Sequence, residues 1–356
     1  MPGRKRLALS RFAPVSTRAA GALALAAFVW MVCAPPAGAR SHRHGHPQQH
    51  HQQQLTPEAV NAAAFNGPVA AGRESPVTLK AQVLLDRTSF SPGAIDARAS
   101  ANFAKALAAF QQAQGLAPSG KLDRDTWERL VRGGDTPALV EYEIRDADVN
   151  GPFTPQIPNG MEEMSGLDHL DYTGSPQLLA EKFHVVQSLL RELNPGRPLD
   201  RAGTVIVVPN VRDARADAAV ARVEVDKALK AVRAFGADGK LVAFYPATIG
   251  SKEKPAPSGT FRIRQVVENP TYHYDPKFHF KGVKAQQPFT IRPGPNNPVG
   301  LVWIDLSKPS YGIHGTPDPS KIGKSESHGC VRLTNWDVLD LAHRVHRGVQ
   351  VAFLDR

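Results

Sequence analysis

The spacing of apolar residues changes partway along this chain, and that change limits which folds it can adopt. Phe103, Ala106, Leu107 and Phe110 fall at i, i+3, i+4 and i+7, which puts one apolar face on a helix over about 98–114, ended by Gly115. From residue 221 the period becomes two: Ala221, Val223 and Val225 alternate with Arg222, Glu224 and Asp226. A second apolar run at 241–245 follows the turn at 236–239 as the other arm of a hairpin would, and strand-like runs recur at 260–267 and 299–306. One period cannot serve the other structure. The expectation is therefore a multidomain α+β chain, and 356 residues do exceed one typical domain.

Two more helices accompany the first. One covers about 78–86 before Ser91, Pro92 and Gly93; the other can be capped by Asp123 and carries Trp127, Leu130 and Val131. They make a small three-helix bundle over 76–134 with no reactive side chain evident. After a polar, Pro/Gly-bearing stretch at 146–160 comes a short α/β segment, bounded at 150–216. It has helices around 175–183 and 186–193 and a β-branched strand at 204–208. The remainder, 217–356, is mostly β and closes with one helix. That helix begins at Thr334, whose hydroxyl can cap it with Asp337 answering three residues on. It buries Val338, Leu341, Ala342 and Val345 before Gly348.

The N-terminus indicates a compartment. Arg4, Lys5, Arg6 and Arg11 precede an apolar stretch at 19–34, and Ala37-Gly38-Ala39 has the small-x-small form of a signal-peptidase site, so 1–39 reads as a secretory signal. About 16 apolar residues are short for a span that needs roughly 20, and no other stretch is long enough to cross a bilayer after cleavage. Residues 40–75 begin with a His/Gln-rich tract (41–54) that has nothing apolar to bury and is expected to be a disordered tether. Residues 1–39 hold five Lys/Arg and no acids, so without them the formal charge of +10 falls to +5. That mild basicity suits an anionic polymer, and no Lys/Arg run with interleaved aromatics marks a nucleic-acid groove.

Once Cys33 leaves with the signal, Cys330 is the lone thiol, and no internal disulfide can form. It sits in Ser325-Glu326-Ser327-His328-Gly329-Cys330-Val331-Arg332-Leu333. Three readings stand. A buried structural cysteine would ask for apolar neighbours, whereas Ser327, His328 and Gly329 suit a turn. A metal ligand would join His314 and His328 and need a fourth donor, yet His343 and His346 fall on the solvent face of the last helix. A nucleophile needs a base, because a thiol with a pKa of about 8.5 is only a few per cent ionised at neutral pH. His314, sixteen residues upstream in Tyr311-Gly312-Ile313-His314-Gly315-Thr316, is the candidate, and the Pro/Gly-bearing loop between can fold back. Gly329 permits backbone N–H groups to converge on an oxyanion.

The run 81–127, with its core "ALAAFQQAQGL" and "SGKLD..TW", resembles a peptidoglycan-binding three-helix domain, and 172–209 is similar to the latter part of a LysM module, although 166–171 makes a poor first strand. "IHGT" followed by "SHGCVRL", with "KPAPSGTFRI" and "NPVG" upstream, resembles the signature of L,D-transpeptidases with a YkuD-like catalytic domain, a β-sandwich, over about 221–356. The resemblance implies that Cys330 is the acyl-forming nucleophile and His314 its base. The Gly315 carbonyl would orient the imidazole, and His328 and Gly329 would shape the oxyanion pocket. Ser327, Tyr311 and Arg332 would support the loop or hold a substrate carboxylate. The insert 272–294 is a lid or a surface loop.

The implied enzyme is periplasmic or wall-associated and needs no metal or cofactor. Its partners are peptidoglycan stem peptides and glycan, with a wall-anchored protein as an alternative acceptor and no nucleic acid. An L,D-carboxypeptidase or amidase would use the same residues, and a non-catalytic wall-binding scaffold is the rival of a different class.

Overall fold

The computed structural model describes residues 54–134, 136–212, 219–251, 254–278, 283, 285–327 and 329–355. The expected signal, most of the His/Gln tract and His328 lie outside the described residues. The tether expected to reach residue 75 differs in its second half. Where the tract gives way to apolar residues, Leu55 and Val60 enter a core, and α1 (Pro57–Asn61) forms behind the N-cap Thr56. The Asn61 side chain then accepts from the Leu139 N–H and donates to its carbonyl, both at 2.9 Å.

Three helices follow: α2 (Pro76–Arg87), α3 (Ala101–Ala113) and α4 (Arg124–Val131), each started by a side-chain cap from Ser75, Ser100 or Asp123. Phe103, Leu107 and Phe110 of α3 meet Leu85, Trp127 and Leu130. The same core continues into Phe235, Leu241 and Phe244 of the C-terminal sheet, so the bundle is packed onto that sheet.

The next part comprises β1 (Leu139–Glu143), α5 (Asp146–Val149), α6 (Met161–Met164), α7 (Ser175–Lys182), α8 (Gln187–Glu192) and β2 (Val205–Pro209). No first strand forms at 166–171. The partner of β2 is β1, antiparallel and in register from Leu139↔Pro209 to Glu143↔Val205. β1 lies upstream of residue 150, separated from α7 by the excursion that carries α5 and α6, and a pairing across some sixty residues leaves no local trace in the sequence.

The C-terminal part contains β3 (Arg222–Asp226), β4 (Ala231–Phe235), β5 (Leu241–Pro246), β6 (Thr248–Ile249), β7 (Gly259–Glu268), β8 (Tyr272–Tyr274), β9 (Phe289–Ile291), β10 (Val302–Leu306), β11 (Gly312–His314), β12 (Val331–Arg332), α9 (Asn335–Arg344) and β13 (Gln350–Leu354). Its main sheet runs β5-β4-β3-β13-β7-β10-β11-β12-β6. β7 is shared: residues 259–262 pair with β13 and 263–268 with β10, so the two halves join along one long strand. Between them and α9 lies a core of Val223, Val225, Ile263, Val302, Ile304, Ile313, Val331, Val338, Leu341 and Val351. α9 starts at Thr334 as expected, and the hydroxyl accepts from the Asp337 N–H at 3.2 Å.

The Asp337 carboxylate belongs to a buried ionic cluster that ties the three parts together. It accepts from the Ser91 hydroxyl at 2.9 Å and faces Arg212 at 3.6 Å. Arg212 also pairs with Asp340 and lies 3.9 Å from Asp86. His184 contacts Asp86 at 2.9 Å and stacks on Trp336, and Arg344 donates to Ser89 at 2.7 Å. Burying such charges is favourable only when each finds partners.

Candidate active site

The site forms where two short strands run side by side. β11 and β12 are parallel, with Ile313↔Val331 and His314↔Arg332 in register. Cys330 precedes Val331 and so falls beside Gly312. With side chains alternating along each strand, Gly312 and His314 share a face with Cys330 and Arg332. The fold thus brings the thiol and the imidazole to one face of adjacent strands, two positions apart.

His314 is 3 % exposed. Its Nδ1 lies 2.7 Å from the Gly315 carbonyl oxygen, which can only accept, so Nδ1 carries the proton and Nε2 keeps its lone pair. The ring stacks on Trp303, its partner across β10 and β11, at 5.5 Å and 23°. Burial, reinforced by the Arg332 charge, pushes the imidazole down to about 3 against the opposing bond to Gly315. The imidazole is therefore neutral at physiological pH.

Cys330 is partly buried. Burial pushes its thiol up from 9.0, while the Gly312 N–H and the Arg332 charge pull it down. The Sγ also lies 3.8 Å from the Ser310 carbonyl oxygen, which can accept a hydrogen bond from the thiol. Both shifts favour the neutral thiol and the neutral imidazole at neutral pH.

The turn before Cys330 is tightly defined. Gly329 adopts φ +102°, and a Cβ there would sit 3.2 Å from the Tyr311 ring, so glycine is required. Ser327, 2 % exposed, donates to the Cys330 carbonyl at 2.6 Å, and its N–H donates to the Gly250 carbonyl at 2.9 Å. Tyr311 lies against Gly329 beneath Lys308. The Arg332 guanidinium reaches the Glu326 carbonyl at 3.5 Å. Lys321 turns to Asp318 at 2.6 Å and is largely solvated.

Four contributors were not read from the sequence. Trp303 stacks on the His314 ring, and the Gly312 N–H approaches the thiol. Tyr272 of β8 interacts electrostatically with Cys330 and Arg332, its hydroxyl pushed up to about 12 chiefly by burial; this places the start of the 272–294 insert near Cys330. Asn335, the first residue of α9, lies against Gly315. Three had a sequence signal: Tyr272 opens the 272–294 insert, Gly312 lies in the histidine motif, and Asn335 falls just after the cysteine motif. Among the described residues, no three His, Cys, Asp or Glu side chains gather as a metal site would require.

A family model described as the L,D-transpeptidase catalytic domain matches residues 221–352, and a peptidoglycan binding domain model matches residues 75–130. A Bacillus licheniformis protein named as L,D-transpeptidase YkuD is 34% identical over 176 residues, 49% of this chain and 90% of that one. An Escherichia coli protein named as L,D-transpeptidase YbiS is 29% identical over 184 residues, 50% of this chain and 60% of that one. Among solved structures, L,D-transpeptidase 3 from Mycobacterium tuberculosis is 16% identical with a TM-score of 0.32, over 43% of this chain and 75% of that one.

Proposed function

The chain belongs to the L,D-transpeptidase family, and from that premise we propose that it cross-links cell-wall peptidoglycan by cysteine acyl transfer. The observation that carries the reading is a neutral, Nδ1-protonated His314 held on the strand beside Cys330. Its free Nε2 takes the thiol proton as Sγ attacks the carbonyl of the third, L-configured residue of a tetrapeptide stem. The N–H of Cys330, beside Gly329, is the donor to the oxyanion. The tetrahedral adduct collapses, the imidazolium returns its proton to the leaving nitrogen, and D-alanine departs, leaving a thioester on Cys330. An acceptor amine then gives a proton to His314 and attacks the thioester. A 3-to-3 peptide bond forms and the thiol is regenerated.

The Arg332 charge favours the thiolate and the acidic stem, and Ser327 and Tyr311 support the turn. The bundle over 76–134 supplies wall affinity, and export by the signal in 1–39 places the enzyme at its substrate. Mass spectrometry of wild type and Cys330→Ala with a disaccharide-tetrapeptide tests the reading. A Cys330-dependent adduct lacking one alanine, followed by a dimer, supports transpeptidation. Resolution only to tripeptide would make the protein a carboxypeptidase, and absence of any adduct would overturn the acyl-transfer reading.

A further inference from the structure

Gly315 supplies the carbonyl that holds the His314 ring, so whatever holds Gly315 sets the direction of Nε2. The Gly315 N–H is tied to the Val302 carbonyl at 3.2 Å, and on its other side the backbone packs against the Asn335 side chain. A Cβ on Gly315 would come within 2.2 Å of the Asn335 Oδ1, and one on Gly300 within 2.1 Å, so both backbones close on this one oxygen. The same Oδ1 accepts the Leu301 N–H at 3.1 Å, which fixes which end of the amide faces the site. Its Nδ2 points away, to the Pro295 carbonyl at 3.2 Å and to both carboxyl oxygens of Glu181 at 3.1 Å each.

Glu181 is not part of the catalytic domain. It lies on α7 of the preceding α/β segment, 154 residues from Asn335 and buried, with the Tyr172 hydroxyl 3.5 Å away. The same segment also braces the neighbouring loop. The Leu170 N–H donates to the Pro293 carbonyl at 3.0 Å, its own carbonyl accepts from the Asn296 N–H at 3.0 Å, and Gln177 bonds to Asn296 at 2.8 Å.

We propose that Glu181 is a positioning residue for the catalytic histidine, acting through Asn335 and Gly315, and that the α/β segment is thereby an integral part of the active site. The proposal deepens the acyl-transfer reading and rests on it for the chemistry, though not for its own test. Loss of the carboxyl acceptor frees the Asn335 amide to rotate, the Gly315 carbonyl loses its backing, and His314 leaves the line to Cys330. A misplacement on the order of 1 Å is enough to cost about a hundredfold in rate.

The experiment compares wild-type protein with Glu181→Leu, Glu181→Gln, Asn335→Ala and Asp148→Asn. Two readouts are used: the pH profile of Cys330 alkylation by iodoacetamide, and the rate of acylation by disaccharide-tetrapeptide. Asp148→Asn disturbs the Lys182 pair in the same segment without touching the chain to His314. Glu181→Leu is expected to slow alkylation at pH 7 and acylation by roughly 10- to 100-fold, with alkylation at pH 10 close to wild type. Glu181→Gln keeps an acceptor and is expected to recover most of the rate, and Asn335→Ala to reproduce the loss from the catalytic side should Glu181→Leu fail to fold. The proposal is overturned if Glu181→Leu, or Asn335→Ala in its place, keeps the wild-type alkylation profile, or if Asp148→Asn shows the same loss. If wild-type protein is never acylated, the acyl-transfer reading fails, while the alkylation profiles still decide the role of Glu181.

Discussion

Glu181 predicts an unusual dependence of stability on pH. Burial, outweighing the hydrogen bonds from Asn335 and Tyr172, pushes its carboxyl up from 4.5 to about 8. Below pH 4.5 the group is protonated whether the chain is folded or unfolded, and its contribution to stability is fully present. Between 4.5 and 8 the unfolded chain releases the proton and the folded chain keeps it, so stability falls as pH rises and levels off above 8. At about 1.4 kcal/mol per pH unit the loss is on the order of 4 kcal/mol across that window. Asp337, pushed up to about 7 by burial, acts in the same direction. Asp86, held below 3.8 by His184 and Arg212 despite its burial, acts oppositely and only at acid pH, where its contribution is lost as pH falls. Urea unfolding of wild type and Glu181→Gln at pH 5 and pH 8.5 isolates the effect, since glutamine has no proton to lose. The variant is expected to lose markedly less stability between the two pH values, by roughly 4 kcal/mol. A stability difference between the two proteins that stays constant with pH would refute the reasoning.

Gly315→Ala would drive a Cβ to 2.2 Å from the Asn335 Oδ1; a melting-temperature loss together with at least a tenfold slower acylation is expected from the displaced backbone. Asp340→Ala removes the partner that Arg212, Arg344 and the Tyr245 hydroxyl share in the ionic cluster. About 3–5 kcal/mol of destabilisation in urea follows from the buried charges left behind. Because burial pushes His314 down to about 3 and the Cys330 thiol above 9.0, both groups keep the forms that general-base attack needs across the neutral range, so stopped-flow acylation should be nearly flat from about pH 5 to 8 and show no imidazole inflection.

Several elements were legible because their causes are local. Asp123 caps α4 and Thr334 caps α9, each by a bond to the backbone N–H three residues on, and the apolar face of α3 follows from its own spacing. β4 was missed because Ala231 to Phe235 is buried at nearly every position, and a strand covered on both faces shows no alternation. β1 was missed because its evidence is its pairing with β2, and hydrogen bonds between distant segments impose no pattern on either.

At the site, the sequence by itself determined the chemical inventory: a thiol, an imidazole, a guanidinium, and glycines where the backbone must turn sharply, all within about twenty residues. Tertiary structure alone decided their states. Burial holds the His314 imidazole neutral, the Gly315 carbonyl selects its tautomer, and Arg332 lies in register beside it. Asn335 and Glu181, from two different parts of the chain, close behind that carbonyl. The physical reason is that residue type sets which protons can move, whereas desolvation, charge at a distance and long-range hydrogen bonds set where they rest, and these depend on contacts that no local stretch of sequence encodes.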